Sequence, residues 1–441
     1  MPLVQFPIFY PVFLEIVCWV TQHDPTVFAP LLNELLFAAL IFISGTLMNG
    51  FSSHSPWYKR ILLSCIVLSP CLLEIYSMLW SETLFLILSL IFIGFLHYDY
   101  RTRNLRSLLL VSIVAALAFL TRYAGISLVG AGGLLLILDT RLSIIKRLIR
   151  ASIFLIVSCS LVAINLARNL IVSGTLTGIR QKGTTPLISN LSYFGDTLFG
   201  WFSFGNENHT VALLTALVCI AVLGGLFFNR IRNQSSPLTY EHTAVTFAFV
   251  YTAFIILSAT ITRYQQLDSR LLSPLFIPLL WSLTFWIPKL AMERSGQARI
   301  WLISISLVLA AAFQYGQLKD DFETYDGVRD AGVPGYTEDP WPQSDIVTFI
   351  KNNPDLFLPG YALYSNAGDA VYFYTGRFCD LLPEKVFPIE VKEFYEEDEH
   401  YLIWFNAVDN PDMIRLKDIL EKKKMVCIRQ LGDGAVYRYD H

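Results

Sequence analysis

Charge is scarce in this chain. Of its 441 residues only 16% are Asp, Glu, Lys or Arg, while 54% are hydrophobic, against roughly 25% and 45–50% in soluble domains. A single soluble globule is excluded. No stripe of Lys and Arg long enough to neutralise a run of phosphates is present, which excludes nucleic acid as a partner. No C-x-x-C and no His/Cys cluster of zinc spacing occurs, so no metal site is expected. Five of the seven cysteines, Cys18, Cys65, Cys71, Cys159 and Cys219, lie in apolar runs, where a thiol behaves as a small hydrophobe. Cys379 and Cys427 lie in the tail. The segment 4–20 has no basic n-region and no small-residue cleavage site, and Pro7 and Pro11 interrupt it. It is not a signal peptide; it crosses the membrane or lies half-inserted. Internal repeats of the kind that mark many transporters are also missing.

The charge that is present is placed unevenly. Residues 1–315 hold 20 Lys and Arg against 12 Asp and Glu, whereas residues 316–441 hold 13 against 24. A long apolar part is therefore followed by an acidic, soluble-looking tail. Ten apolar runs cross or nearly cross a bilayer, at 27–48, 61–80, 82–97, 107–121, 124–139, 151–167, 211–228, 243–262, 271–288 and 300–315. Lys and Arg beside spans are retained on the cytoplasmic side. The loops 49–60, 98–106, 140–150, 229–242 and 289–299 carry fourteen of them, and the alternate loops around 81, 122, 168–210 and 263–270 carry six. The poorer set faces outside on this count, and the tail with it.

The expected fold is mainly α, a polytopic transmembrane helical bundle over 1–315, followed by a linker over 316–343 and a small α/β domain over 344–441. Pro, Gly and Asp in GVPGYTEDPWP mark the linker. Beyond it, helix-like 344–353, strand-like 361–365, helix-like GDAVYFYTG, strand-like 401–405, helix-like 411–424 and strands near 425–430 and 434–439 alternate. The acidic run at 396–399 lacks the spaced oxygen ligands and turn glycine of a calcium loop and reads as a solvated face.

Four constellations fall on the outer set of loops. In Trp80-Ser81-Glu82 a carboxylate sits at a membrane boundary beside a hydroxyl; the plain account is that Ser81 caps the next helix and Glu82 favours its dipole. In Leu120-Thr121-Arg122-Tyr123-Ala124-Gly125 a break between apolar runs brings Arg122 to membrane depth, where its fixed donors suit a phosphate and Tyr123 can stack or hydrogen-bond. Asn165-Leu166-Ala167-Arg168-Asn169 ends a span, so that snorkelling is the plain account of Arg168. In Asp268-Ser269-Arg270, at the mouth of a span, the plain account is a local ion pair. All four reach one membrane face, and bundle sites form where such groups converge between helices.

The order and spacing of FPIFYPVFLEIV, Leu32-Asn33, SETLFLIL, LAFLTRYAGISLV, the Arg168-Asn169 pair and DSRLLSPLFIPLL resemble the GT-C class of membrane glycosyltransferases. The resemblance is to the broad family with protein O-mannosyltransferases and the bacterial aminoarabinose transferase, over most of residues 4–315. ALYSNAGDAVYFYTGR in the tail looks like the extracytoplasmic end domain of bacterial members. The resemblance implies inverting transfer of a sugar from a polyprenyl-phosphate carrier to an acceptor outside a bacterial inner membrane, with no cofactor beyond the lipid-linked donor. Arg122, Arg168 and Arg270 would hold the leaving phosphate, supported by Ser81, Tyr123 and Asn169. A transporter or flippase for a lipid-linked or anionic solute is the alternative.

In that family the catalytic Asp belongs to the first outside loop, upstream of the stretch matched by FPIFYP, and no residue here inherits it by motif. The start codon is placed too late, or the form is inactive, or Glu82 or Asp268 serves as base. The late start is the expectation. In-frame DNA before Met1 should then encode an apolar span of about 20 residues and a loop with an Asp, and only the extended form should be active. A stop codon just upstream, with activity in the short form, would move the base to Glu82 or Asp268.

Overall fold

A computed structural model describes residues 6–52, 55–178, 180, 182–202, 208–232, 238–263, 266–332, 335–385 and 387–440. Val333 and Pro334 of the expected linker, and the first two residues of the 4–20 run, lie outside them. The chain forms two compact units, Met1–Asp321 and Phe322–His441.

The first unit is helical throughout. Its helices are α1 (Phe9–Thr21), α2 (Pro25–Met48), α3 (Pro56–Val67), α4 (Pro70–Ser77), α5 (Glu82–Thr102), α6 (Leu105–Thr121), α7 (Ile126–Ile137), α8 (Ile144–Ser173), α9 (Leu187–Gly200), α10 (His209–Arg232), α11 (Tyr240–Ile261), α12 (Ser269–Thr284), α13 (Trp286–Glu293) and α14 (Gly296–Ala331). All ten apolar runs are helical, but length divides them. Among the described residues, seven helical stretches are long and apolar enough to cross a membrane, with α12 and α13 counted as one, and the bent pair α3–α4 makes eight. The runs 107–121 and 124–139 form shorter helices, α6 of 17 residues and α7 of 12, below the roughly 20 that span a bilayer.

The breaks have local causes. Pro70 cannot donate to the ladder of α3, so Ser69 caps a new helix through Leu72 N at 3.4 Å and the axis turns by 47°. Between α6 and α7, Arg122 adopts an extended backbone (φ −146°, ψ 139°) and a 3-10 turn, Tyr123–Gly125, reverses the chain. Gly125 is required there by close approach: a Cβ would lie 2.5 Å from the Cα and N of Phe119. Two boundaries differ from the sequence reading. Helix α8 continues to Ser173, beyond Arg168, and α14 continues past 315 to Ala331. Residues 316–331 are polar yet rich in helix formers, so hydropathy falls before helicity does, and Gly332 at φ +89° follows the last turn.

Helix α5 is the most enclosed span, with 78% of its apolar window buried, against none of that of α14. It packs against α2, α6, α11 and α12. A helix apolar on every side is stable only inside a bundle, and this one carries Glu82 at its start. At the opposite end of α5, Asp99 takes two bonds from Arg150 of α8 at 2.6 and 2.7 Å and one from Ser107 of α6 at 2.7 Å. Asp139, after α7, pairs with Arg103 at 3.3 Å and Arg141 at 2.8 Å. These pairs pin the ends of α5 to α8 together.

The second unit holds α15 (Asp345–Asn352), β1 (Ala362–Ser365), α16 (Gly368–Thr375), β2 (Asp380–Leu381), α17 (Pro388–Glu396), β3 (Glu399–Phe405), α18 (Leu416–Lys422), β4 (Val426–Leu431) and β5 (Gly434–Asp440). The strand order is β2-β1-β3-β5-β4, with β1 parallel to both neighbours and β3-β5-β4 antiparallel. This is the small α/β domain expected, with β2 and α17 added. The helix expected over 411–424 is confined to α18, because Met413 pairs with Glu384 and Ile414 N donates to Pro383 O at 3.1 Å.

One buried residue makes this unit pH-sensitive. His400 on β3 is fully buried among Tyr364, Phe394 and Tyr439, with ring centroids 5.3–5.5 Å away. Neither ring nitrogen has a partner of ordinary hydrogen-bond geometry. Burial, with the Lys423 ammonium beside it, pushes the imidazole down from 6.5 to about 4. A folded pKa below the unfolded one means stability present above pH 6.5 and lost as pH falls toward 4, by up to about 3 kcal/mol. Hydrogen exchange on the full chain should show β3 and β5 opening over that window, and His400→Phe should remove the histidine's part of the pH dependence.

Candidate active site

The turn between α4 and α5 is held from behind. Asn33 Nδ2 donates to Met78 O at 2.9 Å, Thr83 Oγ1 to Trp80 O at 2.8 Å and Tyr76 OH to Thr83 O at 2.9 Å. These bonds fix Trp80, Ser81 and Glu82 at the head of the most buried span. Ser81 does not cap α5: its backbone is already helical, and its hydroxyl donates to Glu82 Oε2 at 3.3 Å instead.

Glu82 is fully buried, and each of its oxygens meets a different guanidinium. Arg270 Nε donates to Oε1 at 2.7 Å. Arg122 Nη1 pairs with Oε2 and also donates to Ser81 Oγ at 3.1 Å. The extended residue between α6 and α7 and the first turn of α12 thus deliver two cations to one anion. The guanidiniums keep 18% and 38% exposure, while the carboxylate keeps none. Electrostatic attraction for a further anion is strongest where water is excluded. Trp80 completes the group, with the Arg270 guanidinium 4.0 Å from its ring centroid.

Asp268 and Arg270 do not form the local ion pair that is the plain account of their spacing. Asp268 is the exposed N-cap of α12, accepting from Leu271 N at 2.9 Å, and Arg270 turns to Glu82. Tyr123 stands against Arg180, whose guanidinium lies 5.8 Å from its ring centroid. Arg168 donates to Asn169 Oδ1 at 3.0 Å, and Asn169 Nδ2 to Leu176 O at 3.1 Å, so these two tie α8 to the segment that follows it. Of the four constellations, the first, second and fourth meet at Glu82, and the contacts described for the third run to its own loop.

The bundle also holds an apolar cavity of about 1570 Å3, lined by α3, α10, α12, α13 and α14, whose lining does not include Glu82, Arg122 or Arg270. Its wall includes Trp201, which bonds Ser269 beside Arg270 at 3.2 Å, and continues through Cys65, Phe276 and Phe313. At the other end of the bundle it reaches Ser55, Thr284 and Arg299. It exceeds the roughly 300–1,000 Å3 of ordinary small-molecule sites.

No family model and no curated protein matches the chain. Among solved structures, it is similar to ArnT from Cupriavidus metallidurans bound to undecaprenyl phosphate, with a TM-score of 0.60 and 12% identity over 99% of this chain and 88% of that one. That likeness establishes the fold.

The structure also exposes what the sequence reading missed. Glu82 is the hub of both arginines, across 40 and 188 residues, and Trp80 is part of the same group. A carboxylate flanked by an aromatic in a chain this poor in charge was the available signal. Glu82→Gln should lower thermal stability in nanodiscs by about 3 kcal/mol, the lower end for breaking a buried pair, since both guanidiniums retain some exposure. Asp268→Asn, which keeps a good cap, should change it by less than about 0.5 kcal/mol.

Proposed function

We propose that this protein transfers a sugar from a polyprenyl-phosphate carrier to an acceptor on the outer side of a bacterial inner membrane, with inversion. The observation that carries the reading is the Glu82–Arg122–Arg270 triad, two guanidiniums on one buried carboxylate, with the Arg270 side chain still 38% exposed. Similarity to a fold solved with undecaprenyl phosphate supports it, and the asymmetry of fourteen basic residues to six supports the orientation.

In this reading Arg122 and Arg270 hold the carrier phosphate and stabilise the charge that grows on it as the glycosidic bond breaks. Glu82, with both oxygens engaged, keeps the guanidiniums oriented and does not take a proton. The acceptor hydroxyl attacks the anomeric carbon from the face opposite the phosphate, and its proton passes to a general base. Asp268, the exposed carboxylate nearest in sequence to Arg270, takes that role should the 441-residue form prove active, and the upstream Asp implied by the family resemblance takes it otherwise.

Arg122→Gln and Arg270→Gln should each weaken undecaprenyl-phosphate binding in nanodiscs at least tenfold while the protein stays folded. In an active 441-residue form, Asp268→Asn should retain binding and lose turnover. Unchanged binding in both arginine variants would return these residues to contact with lipid headgroups. A reporter active only in the cytoplasm, fused after residue 330, should be silent, and activity there would reverse the orientation.

A further inference from the structure

We infer that Trp80 is a positioning residue for phosphate recognition, acting through Arg270; this rests on the function proposed above. A guanidinium offers one Nε–H and four Nη–H donors in a fixed plane. In Arg270 the Nε edge is taken by Glu82 Oε1 at 2.7 Å, and one face is taken by the Trp80 ring at 4.0 Å from its centroid. A hydrogen bond at Nε and an aromatic ring against the group together restrict rotation of the guanidinium about its stem. What remains is the fork of its two Nη groups, on a side chain that is 38% exposed. That fork is the edge that binds two oxygens of one phosphate.

Arg122 is held differently. It spends Nη1 on both Glu82 and Ser81, and no ring is stacked on it among the described residues. Trp80 and Glu82 come from one three-residue turn, whose backbone is fixed by Asn33 and Thr83. The turn therefore sets the direction of the Arg270 fork as a unit. If Trp80 were only filling space beside the core, an apolar side chain of similar bulk would replace it. If it orients Arg270, an aromatic face is required, because the attraction comes from the ring quadrupole.

The test is a double-mutant cycle on the full chain in nanodiscs, read as binding of undecaprenyl phosphate. Trp80→Met should weaken binding about tenfold, and Trp80→Phe by no more than about threefold. Combined with Arg270→Gln, Trp80→Met should add almost nothing beyond the arginine variant alone, because the group it orients is gone. Multiplicative losses in the double variant would overturn the inference, as would equal binding by the Met and Phe variants. Should Trp80→Met prove unstable on melting, Trp80→Leu replaces it in the cycle with the same two outcomes. Failure of the unaltered protein to bind undecaprenyl phosphate would instead defeat the functional reading, and this inference with it.

Discussion

A single buried carboxylate organises the membrane unit. Taking an ion out of water costs several kcal/mol unless it is paired and its remaining lone pairs are satisfied. Glu82 meets that condition through two guanidiniums and a hydroxyl that arrive from three places in the chain. The break between α6 and α7 and the start of α12 must therefore both sit at the head of α5. Three helix ends with no apolar reason to coincide are brought together by charge.

The same arrangement explains a chemical asymmetry. Both arginines lose part of their hydrogen-bonding capacity to Glu82, which would be wasteful if affinity alone mattered. A guanidinium on a flexible stem binds a phosphate but must be ordered each time, at a cost in side-chain entropy. Pairing it beforehand moves that cost into folding. The opposite ends of α5 to α8 are tied in a similar way, by Arg150 on Asp99 and by Arg103 and Arg141 on Asp139.

Much of the fold was legible because hydropathy and helix periodicity are local. All ten apolar runs are helical, and the main alternation of the tail is recovered, as is the break at Arg122. Boundaries were legible only where a local signal exists. Pro70 marks a bend, but nothing in hydropathy reports that α14 continues through 316–331, because polar residues such as Lys319 and Glu323 are also good helix formers. The two-residue strand β2 depends on its pairing with β1 and has no pattern of its own. At the site, residue types suggested that Glu82, Arg122 and Arg270 belong together. Their partners were another matter: Asp268 lies two residues from Arg270 and looks like its counter-ion, yet the guanidinium turns to a carboxylate 188 residues away. Proximity in sequence misleads where helix ends converge.

Gly125 carries a consequence for how this protein can vary. Its backbone is ordinary helix, φ −60° and ψ −16°, so alanine would be welcome there by conformational preference. The space is what forbids it: the atoms in the way are the main chain of Phe119, which cannot step aside by changing a rotamer. Even the smallest side chain must pry α6 from the turn and carry Arg122 away from Glu82. Mutational tolerance around the site is thus set by a residue with no chemistry of its own. A scan for sensitive positions would find this glycine as intolerant as the charges it keeps in register.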